Sequence, residues 1–215
     1  MSIEVPLGRD LTLRFSILEL GKDVLAVEYE AGNVSDSDLY VFNRLHRDVS
    51  DDGVFDLDPN VVYISVEDSV VHLTKRVPDI PRGLLVEAPI VPCATLLRRG
   101  ETLRETLNLA LPLRSFDPYR PQDQVVVGSF DSLVFSIGYF KVSEIGARPV
   151  NDVRTTQGTA LHAYVTPWEQ LVARTAAVSV SKAEPPAAGV TCPNCGAENP
   201  PASRYCSQCG SRLDS

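Results

Sequence analysis

The 215 residues are enough for one medium-sized domain with a small appendage, or for two small domains. The formal net charge of −8 falls entirely on residues 1–175, because the residues from 176 onward carry three basic and three acidic side chains. An acidic domain joined to a neutral tail argues against general nucleic-acid binding. The sequence also contains no apolar run of about 18 residues, the length needed to span a bilayer.

The first residues, MSIEVPLGRDLTLRF, mix acidic and basic side chains with short apolar runs. A signal peptide needs a basic start followed by a continuous apolar stretch. We therefore expect a cytoplasmic protein that is not associated with a membrane.

Residues 1–142 repeatedly show the alternation of apolar and polar side chains that is typical of half-buried strands. Gly21, Lys22 and Asp23 form a turn signal between the first two such runs, which predicts a hairpin. Residues 102–111 are ambiguous, because Leu103, Leu107 and Leu111 also have helical spacing, but the strand pattern fits better. The predicted strands are 11–17, 25–29, 39–45, 61–66, 70–75, 85–91, 102–111, 124–128 and 133–142.

Eight or nine short strands separated by turn-forming residues predict a mostly β fold, an antiparallel β-sandwich of two packed sheets. The strongest apolar stripe lies in the last of these runs, and we expect it at the centre of the core. It consists of Leu133, Phe135, Ile137 and Tyr139.

Residues 31–45, AGNVSDSDLYVFNRL, resemble the part of immunoglobulin-like intracellular sandwiches in which one core strand ends and the next begins. The resemblance implies an immunoglobulin-like topology for this domain. It implies nothing about function, because one fold serves many functions.

Two loops are candidate binding sites. The acidic run 48–58 could hold a cation, but it does not have the ligand spacing of an EF-hand, so a solvated loop between strands is the simpler interpretation. Residues 113–121 combine Phe116 and Tyr119 with arginines and prolines. This composition suits a contact surface, although the two aromatic rings could equally close one end of the sandwich.

Potential catalytic side chains are few and scattered. Cys93 lies among apolar residues without a nearby base, so we expect a buried, unreactive thiol. The three histidines, His46, His72 and His162, do not have metal-ligand spacing relative to one another. Since no phosphate-binding loop, nucleophile elbow or paired carboxylate motif is present either, we expect a protein without enzymatic activity.

Thr166, Pro167 and Glu169 have the arrangement of a helix N-terminus, which predicts a short helix over 167–175 with Trp168 packed onto the sheet. The following AAVSVSKAEPPAAGV contains small residues and two consecutive prolines, too little apolar surface to offset the entropy of ordering. The expected domains are therefore a β domain at 1–175, a linker at 176–190 and a C-terminal module at 191–215.

Residues 191–213 contain two Cys-x-x-Cys pairs, Cys192 with Cys195 and Cys206 with Cys209, separated by ten residues. Two cysteines three positions apart on a tight turn can place both sulfurs on one cation, and two such turns complete the tetrahedron that Zn²⁺ prefers. Each pair is followed by a glycine, which allows the chain to turn away with positive φ.

This segment resembles the short zinc ribbons found at the termini of many bacterial and archaeal proteins, in its CPNCG, NP and RYCSQCG motifs. The resemblance implies one structural Zn²⁺ with four cysteine ligands on two β-hairpin knuckles. Two disulfides, or a redox-active rubredoxin-like iron site, are the alternatives. We expect the module to be unfolded without metal, because it has so few apolar residues to bury.

These expectations lead to a zinc-binding adaptor as the first functional hypothesis. In it the acidic β domain engages a protein partner, and the tethered ribbon provides a second contact. A ribbon that contacts nucleic acid is the second hypothesis, but Arg204 and Arg212 are the only basic residues of the module. An enzyme whose site is assembled by the fold alone is the third.

Overall fold

The computed structural model of the protein describes residues 10–144, 150–180, 190–199, 205–206 and 208–213. By its internal contacts the chain divides into two compact units, residues 1–182 and 183–215. The first unit is built from strands, with one 3₁₀ turn at Val142–Glu144 in its described part. Its strands are β1 Leu11–Leu20, β2 Val24–Asn33, β3 Leu39–Arg44, β4 His46–Val49, β5 Phe55–Leu57, β6 Tyr63–Glu67, β7 Val70–Lys75, β8 Cys93–Leu97, β9 Thr102–Ala110, β10 Ser132–Lys141, β11 Val150–Thr155, β12 Gly158–Ala163, β13 Leu171–Arg174 and β14 Val178–Ser179.

A three-stranded antiparallel sheet, in the order β1-β2-β9, forms one layer of the first unit. Its outer face carries a row of charges, with Glu30 in register between Arg14 and Arg104 and paired with both guanidinium groups. Its inner face is apolar, as the alternating pattern of β1 and β2 predicts.

The second layer is a larger mixed sheet in the order β4-β5-β11-β12-β8-β3-β10-β7-β6, with β13 and β14 also paired to β10. β10 is parallel to β7 and antiparallel to β3, β13 and β14. β6 and β7 are joined by a two-residue turn in which Asp68 and Ser69 both have positive φ, the geometry that matches the twist of a hairpin.

The main core lies between the two layers. The stripe Leu133, Phe135, Ile137 and Tyr139 of β10 is buried at its centre, as predicted. Phe135 stacks on Phe15 and on Tyr29, with ring centroids 5.5 Å and 4.4 Å apart. A smaller cluster around Phe42 and Phe140 covers the opposite face of β10.

A buried ammonium group is embedded at the edge of this core. The Lys75 side chain is fully buried, and its Nζ donates to the main-chain oxygens of Asn43 (2.9 Å) and Pro59 (3.1 Å) and to Glu105 Oε2 (3.2 Å). Tyr29 also donates to this carboxylate, and Asn43 Nδ2 donates to its other oxygen at 2.6 Å. The ion pair therefore connects β7 in the large sheet with β9 in the small one.

The predicted fold class, a mostly β domain of packed sheets, is confirmed, and residues 102–110 are a strand. Two of the pairings, β7 with β10 and β5 with β11, are parallel and depart from the purely antiparallel arrangement predicted. The immunoglobulin-like topology stays a prediction. No strand forms over 85–91, where Pro89 interrupts the run, and 124–128 makes only a single bridge, between Arg114 and Val126.

The predicted helix over 167–175 is wrong. Its N-terminal signature forms, since the Thr166 N–H donates to Glu169 Oε2 at 2.8 Å, but the chain makes a single turn and then enters β13. Tertiary contacts explain why the helix does not continue. The Gln170 side-chain amide hydrogen-bonds to the main-chain N–H and C=O of Val77, and β13 pairs with β10. Gly138 leaves room for this contact, because a Cβ there would lie 2.3 Å from Gln170 Oε1.

The segment predicted to be a linker, 176–190, begins inside the first unit. Val178 and Ser179 pair with Leu133 and Ser132, so β14 extends the domain beyond the predicted boundary at residue 175. Residues 181–189 of the predicted linker lie outside the described residues.

Candidate metal centre

Two turns with the same hydrogen-bond pattern form the second unit. Cys192 N donates to Ala197 O (2.8 Å) and Gly196 N to Cys192 O (2.9 Å); fourteen residues on, Cys206 N donates to Ser211 O (2.7 Å) and Gly210 N to Cys206 O (2.9 Å). Gly196 and Gly210 have φ of 73° and 70°, values that side chains with a Cβ rarely adopt. The two Cys-x-x-Cys pairs therefore form two equivalent knuckles.

Antiparallel main-chain pairing flanks each knuckle at the equivalent position. Strands β15 (Val190–Thr191) and β16 (Glu198–Asn199) pair antiparallel around the first, and an antiparallel bridge between Tyr205 and Arg212 takes the same place around the second. Each chain reversal thus holds its two cysteines on one side of a tight turn.

The knuckles bring four sulfur atoms together. All four lie within 4.8 Å of one another, and the shortest separations, both 3.6 Å, join Cys192 to Cys209 and Cys195 to Cys206. Each short contact crosses from one knuckle to the other, and none of the four cysteines is in a disulfide. A tetrahedron with metal–sulfur bonds of about 2.3 Å has edges of about 3.8 Å. The spacing therefore fits four sulfurs around one metal ion and is too long for a disulfide.

The thiols differ in acidity. Hydrogen bonds from the side chain and the main chain of Ser211 lower the pKa of Cys209 to about 6, and main-chain donors, the N–H of Cys209 first, lower the pKa of Cys206. The Ala197 N–H also favours the thiolate of Cys195, but the surrounding sulfurs outweigh it and raise the pKa of Cys195 to about 12. The hydrogen bonds to Cys206 and Cys209 thus favour the thiolate, the form that binds metal.

Two polar side chains beside Cys209 were not predicted from the sequence. Ser211 Oγ lies 3.2 Å from Cys209 Sγ, and Asn194 Nδ2 of the first knuckle lies 3.1 Å from that hydroxyl and 3.9 Å from the sulfur. An alignment of the two Cys-x-x-Cys repeats does show that they differ here, because the residue equivalent to Ser211 in the first knuckle is Ala197.

Cys93 is far from these cysteines in sequence and lies in the first unit. Its side chain is buried against Leu57 and Ala160, as predicted, and burial raises the pKa of its thiol to about 11. The thiol is therefore protonated and weakly nucleophilic at neutral pH.

The structure brings two of the three histidines near each other. The rings of His46 and His162 both contact Phe55, with centroid distances of 5.0 Å and 5.2 Å. Burial, with a smaller effect of His162, lowers the pKa of His46 to about 4, and its buried Nδ1 has no hydrogen-bond partner among the described residues. His72 lies apart on β7, where Arg174 Nη2 is 3.1 Å from its Nδ1.

The acidic run 48–58, predicted to be a solvated loop between strands, contains an exposed turn at 50–53 between β4 and β5. Its carboxylates are engaged singly: Asp58 pairs with Arg47, and Asp52 lies 3.7 Å from Arg154. In the described part of the chain, the four cysteines are the only group of three or more potential ligands whose donor atoms converge.

Residues 113–121 pack against the edge of the large sheet. Phe116 and Ile64 exchange two main-chain hydrogen bonds, the Phe116 ring lies 5.9 Å from that of Tyr63, and the Ile90 N–H donates to the Tyr119 hydroxyl. Both aromatic side chains are half-buried. Trp168, expected to pack onto the sheet, is instead 77% exposed at the tip of its turn.

Residues 188–214, which include all four cysteines, match a family described as a domain of unknown function (DUF7577). The match and the sulfur cluster together fit a small C-terminal zinc-binding module. Comparisons with curated proteins and with solved structures give no match. Within the described ranges, no helix combines the length and apolarity required to cross a membrane.

Proposed function

We propose that Cys192, Cys195, Cys206 and Cys209 bind one Zn²⁺ and that this ion has a structural role. The observation that supports the proposal is the convergence of four cysteine sulfurs, none in a disulfide, at a spacing suited to tetrahedral coordination. Four thiolates in a tetrahedron favour zinc or iron among biological metals. We favour zinc because it has no redox chemistry and commonly stabilises small modules of this kind.

A catalytic zinc needs an open position for water or substrate, whereas here protein sulfurs supply all four ligands. The ion would therefore supply folding energy and no chemistry. The cysteines would provide the ligands, and the two knuckle glycines would allow the turns that aim them. Cysteines that form no disulfide also agree with the reducing cytoplasm that we propose for the protein.

Metal analysis of the full chain tests this assignment. We expect one zinc per chain, little iron, and loss of the zinc in a Cys206→Ser variant. Cys93→Ala is the matched control, because it removes a thiol of the other unit and should leave the zinc content at one. Protein that carries no metal after purification under reducing conditions and after incubation with Zn²⁺ would end the proposal.

For the first unit we propose binding to a protein partner without enzymatic activity. Support comes from apolar side chains exposed within five residues of chain: Trp168 at 77%, Leu171 at 38% and Val172 at 39%. Tryptophan is strongly enriched at the energetic centres of protein interfaces, so an exposed ring with two partly exposed apolar neighbours suits a contact surface.

Affinity purification with the full chain and with a Trp168→Ala variant tests the partner. A protein partner should be retained by the wild type and lost from the variant, while a Val126→Ala variant, also altered at an exposed apolar position, should retain it. Equal recovery by all three chains would contradict binding through Trp168. A salt-dependent shift of labelled RNA or DNA would instead favour a nucleic-acid partner.

A further inference from the structure

The two knuckles are equivalent in backbone but differ around their outer cysteines. Each knuckle buries its first cysteine, since Cys192 and Cys206 are 2% and 4% exposed, and each leaves its second cysteine, Cys195 or Cys209, exposed. A reagent in solution therefore meets two sulfurs that the repeat makes alike. Any difference in their reactivity must come from neighbouring side chains.

Among the described residues, polar side chains other than cysteine lie beside Cys209 and not beside Cys195. Asn194 Nδ2 donates to Ser211 Oγ (3.1 Å), and the Cys209 thiol donates to the same oxygen (3.2 Å). A metal-bound Cys209 thiolate has no hydrogen to donate, so the Ser211 hydroxyl then supplies the hydrogen of this contact. At the equivalent positions fourteen residues away, Gln208 replaces Asn194 and Ala197 replaces Ser211. Alanine has no hydroxyl, so Cys195 lacks the equivalent contact: it accepts a hydrogen bond from the Ala197 main chain and otherwise interacts with the other cysteine sulfurs.

We propose that Asn194 and Ser211 form a hydrogen-bond relay that protects Cys209, and that Cys195 is therefore the zinc ligand that reacts first with electrophiles. This inference rests on the proposed zinc site. A hydrogen bond to a thiolate withdraws negative charge from the sulfur and lowers its nucleophilicity, and two donors in series polarise each other. Asn194 and Ser211 are positioning residues, since neither is a metal ligand.

Limited alkylation of the zinc-loaded full chain tests the relay. Iodoacetamide forms a sulfur–carbon bond with the thiolate and releases iodide, and mass spectrometry of peptides identifies the modified cysteine. Changes to groups that support metal ligands commonly alter metal affinity by about 10- to 100-fold. On that scale we expect Cys195 to react about tenfold faster than Cys209.

Variants at equivalent positions separate the relay from a general loosening of the module. Ser211→Ala should bring the rate at Cys209 up to that at Cys195, and Ser211→Thr, which keeps the hydroxyl, should restore protection. Ala197→Ser should slow Cys195 by installing the missing hydroxyl. Gln208→Ala, the counterpart of a change at Asn194, should leave the ratio of the two rates unchanged.

The ratio of the two rates decides the outcome. The relay is wrong if Cys209 reacts as fast as Cys195 in the wild type, or if neither Ser211→Ala nor Asn194→Ala changes the ratio. Zinc content measured on the same samples separates the two proposals: zinc-bound protein with equal reactivity removes only the relay, whereas wild-type protein without zinc removes the metal site and the relay together.

Discussion

The two units of this protein hold their shape by different means. The first buries aromatic and aliphatic side chains between two sheets, with Phe135 at the centre and one buried ion pair at the edge. The second buries little besides Cys192 and Cys206 in its described part, and its convergent groups are sulfurs. One unit should therefore respond to changes in apolar volume and the other to removal of a metal ion.

Removal of the metal is expected to have the largest effect. Structural zinc contributes about 10 to 16 kcal/mol near neutral pH, far more than a module of this size gains from burial. A chelator should collapse the NMR amide signals of residues 191–213 to random-coil positions and leave those of residues 10–180 in place. Signals that stay dispersed in the tail after the metal is gone would show that the second unit folds without it.

Phe135→Ala should have the largest effect on the first unit. The ring contacts both Phe15 and Tyr29, so its loss creates a cavity and should lower the free energy of unfolding by about 3 to 5 kcal/mol. Trp168→Ala is the matched control at an exposed aromatic residue and should change stability by less than about 0.5 kcal/mol. Denaturant unfolding measures both, and zinc content should be unchanged in each.

Lys75→Met should lower the free energy of unfolding by about 3 kcal/mol, somewhat less than Phe135→Ala. The substitution leaves the Glu105 carboxylate without its cation beside Tyr29 and Asn43. A second substitution, Glu105→Gln, should recover part of that loss by removing the uncompensated charge. If the double variant is no more stable than Lys75→Met, the ion pair does not connect the two sheets as described.

A smaller effect should appear on acidification. The unfolded chain binds a proton at His46 near pH 6.5, whereas burial lowers the pKa in the folded protein to about 4. Stability should therefore fall as the pH drops from 6.5 to 4, by about 1 to 3 kcal/mol, because the ring is partly exposed. Asp48 and His162 act on the same ring with opposite signs.

A His46→Gln variant tests this assignment. It should flatten the pH profile over that interval in thermal or denaturant unfolding. His72→Gln is the control on a different strand and should leave most of the slope in place. A wild-type profile without a decline below pH 6.5 would show that His46 is protonated in the folded state.

The sequence predicted those parts of the molecule in which local pattern and tertiary environment agree. The alternation in β1, β2 and β10 reflects one buried face per strand, and the Cys-x-x-Cys pairs need only a local turn to aim their sulfurs. β11 was missed because its side chains are largely polar and none is buried. β12 was missed because its two buried residues, Ala160 and Ala163, are small and three positions apart, which leaves no period of two to detect.

The wrong helix shows the opposite case. Thr166 and Glu169 make the local contact that normally starts a helix, but the free energy of pairing β13 with β10 outweighs that local preference. The contacts of Asn194 and Ser211 were not predicted either: the two repeats differ at these positions, but the contacts themselves depend on how the second knuckle faces the first.

Strand β10 pairs with β3 and β7, which precede it by about 60 to 100 residues, and with β13 and β14, which follow it by up to about 50. On the ribosome the central strand therefore has only half of its neighbours until residue 179 has left the exit tunnel. A nascent chain halted at residue 165 would expose the side of β10 that these last strands cover, and would be a target for chaperones.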